Sequence, residues 1–329
     1  MQNRREFVKE VVAGAAVLGA SSPLSLAAAK PAAEKSKVVI VRDAKLRGAG
    51  SAVDAARMAA MLDHAMQSYF YTKNPIDPWK QIARPGQIVG LKVNCLGHPV
   101  APNVALVSAV CERLQQAGIK PENIIVWDRS SRDMRASGFT LSATPGAVRF
   151  MASDAAGYED AAVSHGAVTT QLSKILTMCD VVINMPVLKN HNLAGVTMAM
   201  KNMYGVIKNP NAMHGTACNP YIADLNMIPQ IRQKVRFVIG DMTTAIYEGG
   251  PAYNPAYTWN ENGLIVGEDR VAIDHTCAGI IERKRAEKGL PTLEQKGTPT
   301  HYIETAADAN HQLGTNDPAR IALIEHSIA

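Results

Sequence analysis

The sequence predicts an α/β fold: a mostly parallel β-sheet with helices on both faces. Three observations lead there. Short apolar runs rich in Val and Ile recur along the chain. Segments of helical periodicity separate them, the alternation that builds parallel sheets. Polar and charged residues gather just past the ends of the runs, where open α/β sheets hold their ligands.

The elements follow in order. Lys37 to Arg42 (KVVIVR) is a strand. The turn Gly48-Ala49-Gly50-Ser51 comes next, then Met58, Leu62, Ala65 and Tyr69 at helical spacing. Val53 stands where a dinucleotide-binding turn needs its third glycine, so the turn is expected to be a plain loop. Gln87 to Val93 is a second strand. Asn103 to Gly118 is a helix, with Val104, Val107, Val110 and Leu114 on one stripe and Gly118 as its C-cap. Ile124 to Trp127, Asp180 to Met185 and Val235 to Ile239 are further strands, and Leu264 to Val266 a sixth before a helix from Val271 to Lys284. The sum is a Rossmann-like single α/β domain over residues 37–329, with 186–233 as a candidate subdomain.

Composition narrows the function. Of 329 residues, 47% are hydrophobic and 19% charged, which fits a globular core and excludes a disordered or coiled-coil chain. A net charge of +5 with no long basic run argues against nucleic-acid binding. Five cysteines without a C-x-x-C pair make neither a disulfide scaffold nor an iron–sulfur or zinc-ribbon signature. The P-loop, G-x-S-x-G and H-E-x-x-H motifs are absent from the sequence.

The N-terminus reads as an address. Arg4-Arg5 is followed by Phe7 and Lys9, the twin-arginine (Tat) export pattern. Residues 11–26 form a weakly hydrophobic stretch broken by Gly14, Gly19 and Pro23, unlike a spanning helix. Ala27-Ala28-Ala29 supplies a cleavage site. The expectation is a signal at 1–29 cleaved after Ala29, a spacer at 30–36 and a periplasmic or extracellular protein, with the Tat translocase as a partner during export. This route carries folded chains, so a metal or metal-organic cofactor loaded before export is expected, its identity unknown.

Candidate site residues cluster past the strand ends. Lys92 and Asn94 close the second strand, followed by Cys95 and His98; Asp241 and Glu248 follow the fifth. Between Asp180 and His214 lie Lys189, His191, Lys201, Lys208 and His214 with no Asp or Glu after Asp180. Such uncompensated charge suits an anionic small molecule, a carboxylate or phosphate. Lys201 and Asn202 sit in the largely apolar run 196–204. Burial there would depress the lysine pKa and make it a base or covalent anchor. Cys95-x-x-His98 and His214-x3-Cys218 have spacings that suit metal ligation, as against simple turn roles. Asp241 and Glu248 are expected as acid–base groups or ligands, with capping as the alternative. The methionines Met185, Met198, Met200, Met203 and Met213 are expected in the core.

The same residues carry a resemblance. Residues 37 to 283 resemble the domain of unknown function 362 family. The carriers are Val89-Gly90-Leu91-Lys92-Val93-Asn94, Asp180 through His191, Gly195-Val196-Thr197, Lys201-Asn202-Met203-Tyr204-Gly205, Gly240-Asp241, Glu248-Gly249-Gly250-Pro251 and Asp269 through Asp274. The ferredoxin-like cluster segment of some members is missing, so no iron–sulfur role carries over. The His191-x9-Lys201 spacing is also similar to the cofactor-binding domain of nickel-pincer lactate racemases. That resemblance implies Lys201 as a covalent cofactor anchor, His191 as a base and His214 as a metal ligand. The approach Thr197-Met198-Ala199-Met200 departs from it, lacking the family's glycines. Two functions remain in view: an exported redox or isomerase enzyme for an anionic ligand, and a non-catalytic ligand-binding protein or redox-complex partner.

Overall fold

The computed structural model describes residues 35–48 and 51–328. The export signal and most of the spacer lie outside the described residues, as do Ala49 and Gly50 of the glycine turn.

The strands of the described residues are β1 (Ser36–Asp43), β2 (Val89–Lys92), β3 (Ile124–Asp128), β4 (Arg149–Ala152), β5 (Tyr158–His165), β6 (Val168–Ser173), β7 (Val181–Asn184), β8 (Val187–His191), β9 (Gly195–Thr197), β10 (Val235–Ile246), β11 (Thr258–Trp259), β12 (Gly263–Gly267) and β13 (Ile321–Ile328). The main sheet runs β13-β1-β12-β10-β7-β2-β3-β4, with β8, β9 and β11 attached through β10. β10, β7, β2, β3 and β4 are parallel to one another, and β1 is parallel to β13. β12 is antiparallel to both β1 and β10. β5 and β6 form a separate hairpin sheet.

Both faces of the sheet are buried, which is why its strands read as continuous apolar runs. On one face Val39, Val41, Leu91, Val126 and Ile183 pack under the helices Ala55–Phe70 and Val104–Gln116. Met58, Leu62, Ala65 and Tyr69 point inward, as their spacing predicts. On the other face Val38, Ile40, Val238 and Ile265 meet Ala272, Ile273, Cys277 and Ile281 of the helix Arg270–Glu287. Asp54 and Asn103 cap the Ala55–Phe70 and Val104–Gln116 helices by accepting from Arg57 N and Ala105 N. Gly118 lies at φ +96° just past the second, as a C-terminal glycine should. The 186–233 stretch joins the main sheet through β8 and β9, and its helices Tyr221–Met227 and Pro229–Lys234 add Ile222, Leu225 and Ile231 to the core.

β10 is twice the length the sequence suggests, because it changes partner midway. Its first half pairs with β7, and from Asp241 onward it pairs with β8. Asp241 sits at that changeover, fully buried. One carboxylate oxygen accepts from Asn103 N and the other from Thr243 N, both at 2.7 Å. This corrects the expectation of a catalytic Asp241: it is buried away from the cavity, and each carboxylate oxygen accepts from a backbone N–H, holding the entry of the Val104–Gln116 helix against β10. Glu248 is likewise structural. It pairs with Arg285 and Lys296, tying the loop after β10 to the 270–287 helix and the segment beyond it. Neither residue lines the cavity described below.

Asp241→Asn replaces one acceptor by a donor facing a backbone N–H. Urea unfolding is expected to show a loss of about 1–3 kcal/mol, with anion binding at the cavity unchanged.

Candidate functional site

The parallel register places Lys92 opposite both Trp127 and Asn184, so β2, β3 and β7 end together. Lys92 is wholly buried. A buried ammonium needs a counter-charge and hydrogen-bond acceptors. Asp128, one residue further along β3, supplies the charge at 2.7 Å; Val93 O (2.6 Å) and Asn202 Oδ1 (3.1 Å) supply the rest. The second oxygen of Asp128 accepts from Cys95 N. Asn202 then joins the ends of β2 and β7. Its amide donates to Lys92 O and Asn184 Oδ1, and its oxygen also accepts from Asn94 Nδ2. A Cβ at Gly205 would stand 2.5 Å from Lys92 Nζ and 2.8 Å from Asp128 Oδ1, so only glycine lets the Lys201–Val206 turn lie this close.

The turn is pinned from the other side by Asp274, fully buried in the 270–287 helix. Asp274 accepts from Ala199 N (2.7 Å), Met200 N (3.2 Å) and Tyr302 Oη (3.1 Å). Asn226 donates to Met200 O and is itself held by the buried Arg270. Lys201 is thereby fixed between two hydrogen-bonded anchors.

Above this floor opens a cavity of about 320 Å³, within the size range of small-molecule sites. Lys201, His191 and His214 meet there. Lys201 Nζ lies 3.2 Å from His214 Nε2 and 3.5 Å from the centroid of the Tyr204 ring, a cation–π contact. The two imidazoles stack with centroids 5.8 Å apart. Hydrogen bonds fix their tautomers. His214 Nδ1 faces Pro210 O at 2.9 Å and must donate, which leaves Nε2 to accept from Lys201. His191 Nδ1 accepts from Leu193 N and Ala194 N, so its Nε2 carries the proton. Burial, reinforced by Lys201 and His214, drives the His191 pKa down to about 3, so it stays neutral. Burial lowers Lys201 to about 8 and also lowers His214. Among the described residues no carboxylate pairs with Lys201.

The other residues singled out in the sequence take different places. Lys92, Asn94, Asn202 and Lys201 line the cavity with His191 and His214. Lys189 lies behind it, donating to Asn94 Oδ1 (2.8 Å) and Leu96 O, with burial lowering its pKa to about 8. The metal grouping of His214, His98 and Cys95 is not formed. His98 is exposed in the loop after β2, while Cys95 is buried in the core beside β2 with its thiol pushed up by burial. Among the described residues no three His, Cys, Asp or Glu side chains are grouped to hold a metal ion. Asp128, Asn184 and Asp274 lie outside the site residues that the sequence singles out. Asp128 was legible in principle, since a lysine inside an apolar strand calls for a carboxylate on a neighbour.

A scan of protein families finds the one described as Domain of unknown function (DUF362) over residues 89–279. The chain belongs to this family. The DUF362 region includes every residue of the cavity floor, from Lys92 to the Asp274 anchor. Among solved structures the chain is similar to the lactate racemase apoprotein from Thermoanaerobacterium thermosaccharolyticum, with 13% identity and a TM-score of 0.44 over 74% of this chain and 56% of that one. A protein from Thermotoga maritima matches with 7% identity and a TM-score of 0.37, over 73% of this chain and 60% of that one. This DUF362 chain thus spans little more than half the length of the racemase chain. No curated protein matches it.

Burial raises the Asp274 carboxyl to about 7, against the pull of its hydrogen bonds. An acid whose folded pKa exceeds its unfolded value favours the fold at low pH, and that contribution is lost as pH rises through the folded pKa. The destabilisation by Asp274→Asn is therefore expected to be larger near pH 4.5 than near pH 8, measured by urea unfolding at both.

Proposed function

We propose that this DUF362 protein binds a small anionic molecule in the 320 Å³ cavity and moves a proton on it, as an isomerase or a redox enzyme. One observation carries the reading: Lys201 is a nearly buried ammonium, 6% exposed, without a carboxylate partner at an open cavity. A desolvated cation of this kind gains most from an anion brought by the ligand. His191 offers a fixed Nε2–H to the same anion or to a neighbouring oxygen. Lys201, with a pKa near 8, is the group whose proton can leave and return near neutral pH. His214 Nε2 accepts from that amine and would steady it in either state.

A metal-organic cofactor is compatible with the donor set, whereas among the described residues no three carboxylates, thiolates or imidazoles are grouped to hold a bare metal ion. In that alternative Lys201 Nζ would attach its organic part instead of carrying the proton, and His214 Nε2, once released from Lys201, would be free to hold its metal. A bound metal of this kind supplies a Lewis acid or redox centre. The twin-arginine segment supports export of the folded protein to the periplasm, where Tat-dependent fractionation of the full chain and of an Arg4→Lys, Arg5→Lys variant tests it.

Calorimetry with acetate, butyrate and inorganic phosphate tests the binding claim. For acetate and butyrate, affinity is expected to be constant between about pH 6 and 7 and to fall about tenfold per pH unit above 8, because only the protonated amine pairs with the anion. Lys201→Met is expected to remove both the binding and its pH dependence. Undiminished binding in that variant overturns the proposal. Proton exchange from deuterated water into bound carboxylic acids separates catalysis from simple carriage: exchange lost in Lys201→Met supports an enzyme, and binding without exchange identifies a carrier.

A further inference from the structure

We infer that the ligand carries two acidic groups, the second recognised by Arg129. This rests on the anion-binding reading above and extends it to a substrate class, a short dianionic acid. The cavity wall carries more positive charge than its own carboxylates match. Its charged side chains are Lys92, Asp128, Arg129, Asp133 and Lys201. Lys92 is matched by Asp128 at 2.7 Å. Asp133 is matched by the neighbouring Arg132 at 3.0 Å. Lys201 and Arg129 are the two cations left without a carboxylate among the described residues.

Arg129 is also built to wait for a partner. Its backbone is held at both ends: Arg129 N donates to Asp128 Oδ1 at 2.7 Å, and Arg129 O accepts from Asp154 N at 2.9 Å. Ser131 N and Oγ both bond the Asp154 carboxylate, which fixes the turn further. The guanidinium itself makes no hydrogen bond with the described residues and stands exposed at the cavity. A pinned backbone with a free fork is the arrangement that binds carboxylate or phosphate in two parallel hydrogen bonds. The two cations differ in kind. Lys201 is a buried point charge beside the imidazoles, where a proton can be moved. Arg129 is solvated and suited to orientation, so the ligand enters with its reacting carboxylate toward Lys201 and its other acid toward β3.

The test is calorimetry on the full chain near pH 7 with acetate and butyrate against succinate and glutarate. The expected result is at least tenfold tighter binding of a dicarboxylate than of butyrate. In Arg129→Gln the dicarboxylate is expected to fall to the affinity of the monocarboxylate, and Arg129→Lys to recover only part of the preference. Equal binding of the mono- and dicarboxylates by the wild-type protein, or a dicarboxylate affinity unmoved in Arg129→Gln, overturns this inference and leaves the Lys201 anion site standing. Failure of every carboxylate to bind overturns both.

Discussion

The buried ion pair between Lys92 and Asp128 is the constraint on which the site depends. It places a charged lysine at the end of a central strand, where water cannot reach it. Breaking such a pair by removing one partner strands a charge in the interior, at a cost of about 3–5 kcal/mol. The sheet therefore has to end β2 and β3 in register, and it has to supply acceptors beyond Asp128. Asn202 is one of them, and Lys201 is its neighbour in sequence. Satisfying Lys92 thus brings the Lys201 turn down over the strand ends. Gly205 lets it come close, and Asp274 holds its far side by backbone N–H groups. The position of Lys201 follows from the hydrogen-bond needs of a different, buried lysine.

The basic segment between residues 180 and 214 separates into two kinds of lysine. Lys189 and Lys201 both have pKa values lowered by burial to about 8. Lys189 is provided for inside the protein, by Asn94 and a backbone carbonyl, and does not line the cavity. Lys201 has an imidazole and an aromatic face, which soften the loss of water without neutralising the charge. Equal pKa shifts hide this difference; the partners reveal it. The histidines divide in the same way. His191 is fixed as a neutral donor by two backbone N–H groups on Nδ1, and His214 as an acceptor toward Lys201.

Much of this was legible in the sequence because burial on both faces leaves unbroken apolar runs, as at Val38–Val41 and Val181–Ile183. The helices showed themselves through Met58, Leu62 and Ala65 and through Val107, Val110 and Leu114. Strand direction was not legible: nothing in Leu264–Val266 says that β12 runs against its neighbours. Neither was β8, since Lys189, Asn190 and His191 are buried as polar residues and interrupt the apolar signal. Convergence of Lys201, His191 and His214 could be suspected from an uncompensated run of charge. The roles of Asp241, Glu248, Cys95 and His98 could not, because they turn on which backbone N–H or arginine fills a carboxylate and which way a loop faces. Asp274 stands out in the sequence only as the end of the Asp269–Asp274 stretch, and its role does not show because Ala199 and Met200, whose N–H groups it accepts from, lie about 75 residues away in the chain.

Lys201 is proposed to hold its proton loosely because burial strips it of water and no carboxylate among the described residues pairs with it. The direct measurement is a pH titration of the Lys201 ammonium by NMR on lysine-labelled protein, assigned by the signal lost in Lys201→Met, with and without saturating carboxylate. The account predicts a midpoint near 8 in the free protein, rising when the anion binds. A midpoint at the ordinary lysine value of 10.5, unmoved by any anion, would contradict it.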